Sequence, residues 1–195
     1  MGIYSLETAP GSHSKKMKKT NPVKNKWTSP VVFILITIIG GLLYLTIINA
    51  PFQWDDSVNI VRNRSLYFLD RPGDIFRFWP SRCVLFFSLA INYRVGGLEV
   101  TGYHLVNIAI HIVSAFLVYL IFLTLRQRPS SRTPENQLLE RRLAFLASLI
   151  FLVHPLQTQA VTYIIQRGAS LSGLFMLLAL FWYIKFRQQR SAFLY

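Results

Sequence analysis

The amino-acid sequence predicts an all-α polytopic membrane protein, with about four transmembrane helices and a large outer-face first loop containing short interfacial helices. Three observations lead there. Of 195 residues, 52% are hydrophobic and 14% aromatic, and the mean hydropathy is +0.37, more apolar character than a soluble domain of this length needs. The stretch VVFILITIIGGLLYLTIINA, Val31 to Ala50, carries no formal charge and matches the roughly 20 residues a helix takes to cross ~30 Å of hydrocarbon. The net charge of +13 is gathered at the borders of apolar segments, as cytoplasmic flanks are under the positive-inside rule. That distribution argues against nucleic-acid binding.

The elements follow in chain order. Residues 1–30 hold Lys15, Lys16, Lys18, Lys19, Lys24 and Lys26 and read as a disordered basic cytoplasmic tail, drawn to anionic lipid by charge. The apolar stretch after them lies too deep in the chain for a secretory signal and lacks a small-residue cleavage site. It reads as an uncleaved anchor running from inside to outside.

The connection 51–102 contains six arginines, five acids and no lysine, a net charge of +1 that suits the outer side. Its apolar run from Cys83 to Ile91 is too short to span and reads as a helix at the interface or packed on other helices. Trp54, Tyr67, Phe68, Phe76, Phe78 and Trp79 are spread through the connection, which reads as a small folded cap on the membrane surface.

A second span, 103–125, returns to an inner loop with Arg126, Arg128, Arg132, Arg141 and Arg142, interrupted by Pro129 and Pro134. A third, about 141–157, meets His154-Pro155, where proline breaks the helix near the outer surface. A fourth, about 170–186, ends among Lys185, Arg187 and Arg190. Four crossings leave both termini cytoplasmic. Cys83 is the one cysteine, so no intrachain disulfide forms.

Several polar groups stand out against this background. Asp55 and Asp56 follow the first span directly. They read either as solvated caps of the next helix or as a general base for a hydroxyl nucleophile, one carboxylate having its pKa raised by its neighbour at low dielectric. Adjacent side chains point in different directions, so the two have different roles.

His104, Asn107, His111 and Ser114, spaced by 3, 4 and 3, form a polar stripe on one face of the second span. Interhelical hydrogen bonding explains it better than metal ligation, because histidines two turns apart stand roughly 10 Å from each other. No metal site is predicted, and a divalent metal is unsupported. Arg82 and Arg167 stand just before apolar helices, positioned either to snorkel or to grip a phosphate bidentately. His154 at the helix break exposes an imidazole. Asn63-Arg64-Ser65 fits the N-glycosylation sequon, accessible in an outer loop.

In order, FQWDDSVNIVRN, SRCVLFFSLAINYRVGGLEVTGYHLVNIAIHIVSAFLVYL and FLVHPLQTQAVTYIIQRGASLSGLFMLLALFWY resemble the N-terminal membrane portion of the transmembrane and tetratricopeptide-repeat protein O-mannosyltransferases, in a bacterial-type form. These are GT-C glycosyltransferases that use polyprenyl-phosphate sugars. The resemblance covers about residues 51–185. It implies that residues 31–195 are a partial GT-C-like membrane domain, truncated before further spans and a repeat domain, and inactive alone.

It also implies a reaction: transfer of a mannose-like sugar from a polyprenyl-phosphate donor to a hydroxyl on the outer face of a bacterial inner membrane. Asp55 or Asp56 is then the catalytic base, and Arg82, Arg167 and His154 hold the donor phosphate. The implied partners are membrane lipid, the lipid-linked sugar, and a protein acceptor or a companion chain supplying the remaining spans; nucleic acid is not among them.

The chain departs from the family pattern at three places. Cys83 follows the arginine that often precedes proline. Gln159 stands where animal members carry glutamate. Gly168, Ala169 and Ser170 stand where an acidic residue follows the second arginine in those members. The alternative reading is a non-catalytic membrane anchor or assembly subunit that keeps a glycosyltransferase-like scaffold.

Overall fold

The computed structural model describes residues 29–126 and 133–193. The basic tail through residue 28 and the middle of the arginine loop, with Arg128 and Arg132, lie outside the described residues. Among the described residues, seven α-helices follow one another: α1 Ser29–Tyr44, α2 Pro72–Phe78, α3 Cys83–Gly96, α4 Val100–Leu125, α5 Pro134–Val153, α6 Gln157–Thr162 and α7 Arg167–Phe193. Short 3-10 or π turns join several of them.

Among the described residues, three stretches are long and apolar enough to cross a membrane: Ser29–Ile47, Val100–Leu125 and Ile164–Arg190. The protein is an all-α membrane protein. α5 is a fourth long helix, but its 20 residues include Glu135, Glu140, Arg141 and Arg142, so only its second half is uniformly apolar. It starts before residue 141 and stops short of residue 157.

Both ends of α5 have local causes. Thr133 caps it by accepting from the Asn136 N–H at 3.3 Å, with Pro134 in the first turn, where its missing N–H costs nothing. It stops at Val153 because His154 precedes Pro155, and the residue before proline is pushed out of the α region; His154 is extended (ψ 127°).

α4 is the hub, packed on α1, α5 and α7. α1 turns Val32, Ile36, Gly40 and Tyr44 inward, one residue per turn, to meet Ile108, Ile112, Ala115 and Tyr119 of α4 and Ala144 and Leu152 of α5. A Cβ on Gly40 would stand 3.0 Å from Ile112 Cγ1 and 3.3 Å from Leu152 Cδ1. The missing side chain therefore lets three helices approach closely, as small residues do in membrane bundles. The opposite face of α1 exposes Ile34, Ile38 and Leu42, and α7 exposes Phe175, Met176, Trp182, Tyr183 and Phe186, an apolar exterior suited to lipid.

The connection 51–102 is folded, with a core of its own. Ile60, Leu66, Ile75, Leu85, Phe86, Leu89 and Ala90 pack with Tyr103 from the start of α4 and with Ile164 and Ile165 from the turn before α7. Phe86 is the aromatic centre, edge-on to Phe78 and stacked with Trp79. The apolar run from Cys83 becomes α3, half packed on the bundle and half exposed. Gly97 (φ +60°) ends α3 in a conformation that disfavours any side chain; its N–H bonds the Tyr93 carbonyl at 2.7 Å, and its carbonyl accepts from Tyr103 Oη at 2.9 Å.

Candidate functional site

The chain that leaves α1 is tied to the stretch between α6 and α7 by its two aspartates. Asp56 is 1% exposed. Its Oδ1 accepts from the Ile165 N–H at 2.9 Å, and its Oδ2 accepts from the Gln53 N–H at 3.1 Å. Burial pushes its carboxyl up from the ordinary carboxylate range; the two backbone donors and nearby His104 oppose that shift, and Asp55 adds to it.

Asp55 is exposed. Its backbone N–H donates to Tyr163 Oη at 2.9 Å, and its carbonyl accepts from Asn59 Nδ2 at 2.9 Å. The pair is thus split: one carboxylate is a buried latch and the other is open.

Arg167, at the head of α7, is fully buried. Nε donates to Asn107 Oδ1 at 2.7 Å, Nη1 to Asn92 Oδ1 at 2.7 Å and to the Ser88 carbonyl at 3.1 Å, and Nη2 to the Tyr103 carbonyl at 3.0 Å. The guanidinium also lies 5.7 Å from the Tyr103 ring centroid. A cation inside a protein is tolerated when its donors are satisfied, and here neutral oxygens from α3 and α4 do that. The expected phosphate grip does not fit this arrangement, because the fork is used to join α3, α4 and α7.

Arg82 is the other kind of arginine. It is exposed at the head of α3, its guanidinium 4.6 Å from the Trp79 ring centroid. It lines a cleft of about 560 Å³ with Ser81, Cys83, Gln166, Gly168 and Ser172. The cleft lies where α3 and α7 begin, so the positive ends of two helix dipoles meet there. A Cβ on Gly168 would come within 3.2 Å of Leu85 Cδ2, which is why the two helix starts sit so close. Asp56 holds Ile165 and the cleft begins at Gln166, so the aspartate loop and the Arg82 cleft share one turn of chain.

His154 stands apart from both. Its Nδ1 accepts from the Leu156 N–H at 3.2 Å and its carbonyl from the Gln157 N–H at 2.9 Å, which starts α6 after the proline break. It does not line the Arg82 cleft.

The polar stripe on α4 is buried, and three of its four members bond other segments: His104 Nε2 lies 3.0 Å from the Ala50 carbonyl, His111 Nε2 lies 3.0 Å from the Leu152 carbonyl, and Asn107 Nδ2 donates to the Val161 carbonyl at 3.3 Å, while Ser114 Oγ donates to the Ile110 carbonyl of its own helix at 2.9 Å. Interhelical bonding is the use that spacing favoured. Among the described residues, no three of His, Cys, Asp and Glu converge as metal ligands.

Asn63 of the sequon is 4% exposed and folded onto its own turn, accepting from the Ser65 N–H at 3.1 Å and from Ser65 Oγ at 2.6 Å. The expected accessibility is therefore absent in the folded state.

Sequence reasoning did not find Ser88, Asn92 or Tyr163. The first two were detectable as a polar pair at i and i+4 inside an apolar helix, the spacing that puts both on one face. Nothing local marks Tyr163.

Fold and site together define an all-helical integral membrane protein in which a folded cap joins the membrane helices around one buried arginine and one buried aspartate. Its homologues are protein O-mannosyl-transferases. One from Caenorhabditis elegans is 30% identical over 198 residues, 94% of this chain and 26% of the relative. Tmtc1 of Drosophila melanogaster is 32% identical over 166 residues, 77% of this chain and 17% of the relative. Human TMTC4 is 33% identical over 159 residues, 73% of this chain and 22% of the relative. The chain is related to that family along most of its length, and it spans about a quarter or less of the length of these relatives. No family model and no solved structure matches it.

Proposed function

We propose that this chain carries the base-bearing portion of a membrane mannosyltransferase, acting with a polyprenyl-phosphate-linked sugar and a hydroxyl acceptor. The observation that carries the reading is the joint at Ile164–Gln166: the Asp56 latch holds it on one side, and on the other it opens into the Arg82 cleft. Its relatives' names supply the reaction class.

In this reading Asp55 is the general base, because it is the open carboxylate. Asp56 positions it, being bonded on both oxygens within the fold. Arg82, with the helix starts beside it, receives the donor's phosphate and stabilises the charge that develops on it as the sugar leaves. Arg167 supports the cleft from beneath without reaching into it.

The basic flanks support a topology with both ends of the chain in the cytoplasm, the cap outside and α5 as the fourth crossing. Gln159 and the Gly168–Ser170 stretch favour a bacterial-type member at the inner membrane. A protein acceptor and a partner contributing further spans complete the assembly.

The test is a transfer assay in membranes, with this chain grafted in place of the matching region of a full-length relative and a labelled polyprenyl-phosphate mannose as donor. Asp55→Asn lowers transfer by at least 100-fold, within the usual worth of a general base of about 10²–10⁴, while insertion and protein level stay unchanged. Transfer at the parent rate with Asp55→Asn would sink the assignment.

A further inference from the structure

One residue between the first crossing helix and the aspartates has no use in the reading above. Trp54 is the one non-glycine residue at positive φ (+46°) among the described residues, and it is 84% exposed. A bulky residue holds such a backbone only where its surroundings over-determine it, and here they do. The Gln53 N–H is fixed on Asp56 Oδ2 at 3.1 Å, the Asp55 N–H on Tyr163 Oη at 2.9 Å, the Asp56 N–H on the Gln53 carbonyl at 2.9 Å, and the Ser57 N–H on the Trp54 carbonyl at 3.2 Å. The backbone on either side of the indole is locked while the ring itself stands free.

A membrane anchor does not need that arrangement. An interfacial tryptophan finds its depth by rotation, and the exposed Asp55 carboxylate one residue on would be carried toward lipid phosphates of the same sign. An exposed aromatic face followed in the next residue by an exposed carboxylate suits a pyranose ring instead. The ring's C–H bonds, slightly positive, rest on the negative face of the π system, and its hydroxyls donate to the carboxylate. A platform set before the ligand arrives also avoids the ordering cost of binding.

We infer that Trp54 is a positioning residue on which the donor's sugar ring stacks, holding the pyranose beside Asp55. The inference rests on the mannosyl-transfer reading and adds to it the surface that orients the sugar.

The test uses the full chain in a sugar-free detergent or in nanodiscs, with methyl α-D-mannopyranoside as probe and saturation-transfer NMR as readout. The wild type passes saturation to the pyranose ring protons. Trp54→Leu, which keeps apolar bulk and loses the ring face, lowers the signal at least fivefold, and Trp54→Tyr retains half or more. Trp54→Gly relieves the positive φ, so it melts no lower than the wild type while losing the signal, which separates loss of the platform from loss of the fold.

Absence of saturation transfer in the wild type overturns the inference, as does an undiminished signal in Trp54→Leu. It also falls if acyl-brominated lipids quench the emission component that Trp54→Tyr removes. The two readings fail separately. Trp54→Leu binding like wild type while Asp55→Asn abolishes transfer activity sinks the platform and leaves the base; transfer that ignores Asp55 sinks the base.

Discussion

The membrane bundle and the cap joint weigh apolar packing and buried polar bonds differently. α1, α4 and α5 meet mainly through apolar side chains and a missing one, with Gly40 against Ile112 and Leu152 and one buried polar bond, His111 to the Leu152 carbonyl. The cap adds buried charge to its apolar packing on the same bundle: Arg167 binds α3 to α4 and α7, and Asp56 binds the aspartate loop to Ile165. A lipid solvent gives no hydrophobic push between helices, so the bundle depends on close fit. The joint beneath the cap depends on buried polar groups, whose loss leaves partners unpaired. Function in the proposed reading sits at that joint, where a mistake is most costly.

The largest effect is expected at Arg167. Arg167→Met keeps the length and removes the fork, leaving Asn107, Asn92 and the Tyr103 and Ser88 carbonyls without their donor. A loss of a few kcal/mol, at about 1–3 kcal/mol for each buried oxygen left unpaired less the relief of a buried charge, should appear as a fall in melting temperature in detergent and in the yield of folded protein. A change below about 1 kcal/mol would mean that the joint is not charge-built after all.

Asp56→Asn comes second. An amide offers one acceptor where two N–H groups need one each, so a cost of about 1–3 kcal/mol is expected. Its pH dependence has a definite sign. Burial raises the folded-state pKa of Asp56 above its unfolded value, so the folded state holds the proton more tightly. The advantage of wild type over Asp56→Asn is then full below the ordinary carboxylate range and declines as pH rises through the raised pKa. Melting curves of both proteins across that window measure it; an advantage that grows with pH would reverse the assignment.

The smallest effect tests the bundle. Gly40→Ala and Gly41→Ala change helix propensity alike, but only the first places its Cβ against a neighbour, 3.0 Å from Ile112 Cγ1, while the second meets nothing within 4 Å. Gly40→Ala should therefore be the less stable by about 1 kcal/mol, the lower end of overpacking costs. Equal melting temperatures would remove the close-packing account of α1.

Much was legible in the sequence alone. The all-α membrane class, the folded character of residues 51–102 and the use of His104, Asn107 and His111 to bond other segments rest on residue type and spacing, and these follow from backbone periodicity and the bilayer's thickness. The division of labour between Asp55 and Asp56, and between Arg82 and Arg167, did not. Each pair has one chemistry and near-identical local context: two adjacent carboxylates, and two arginines heading apolar helices. What separates them is the oxygen or N–H that arrives from far along the chain: Ile165 at Asp56, and Ser88, Asn92 and Asn107 at Arg167. A charged side chain's role depends on whether its solvent is water or protein, and only the tertiary structure decides that.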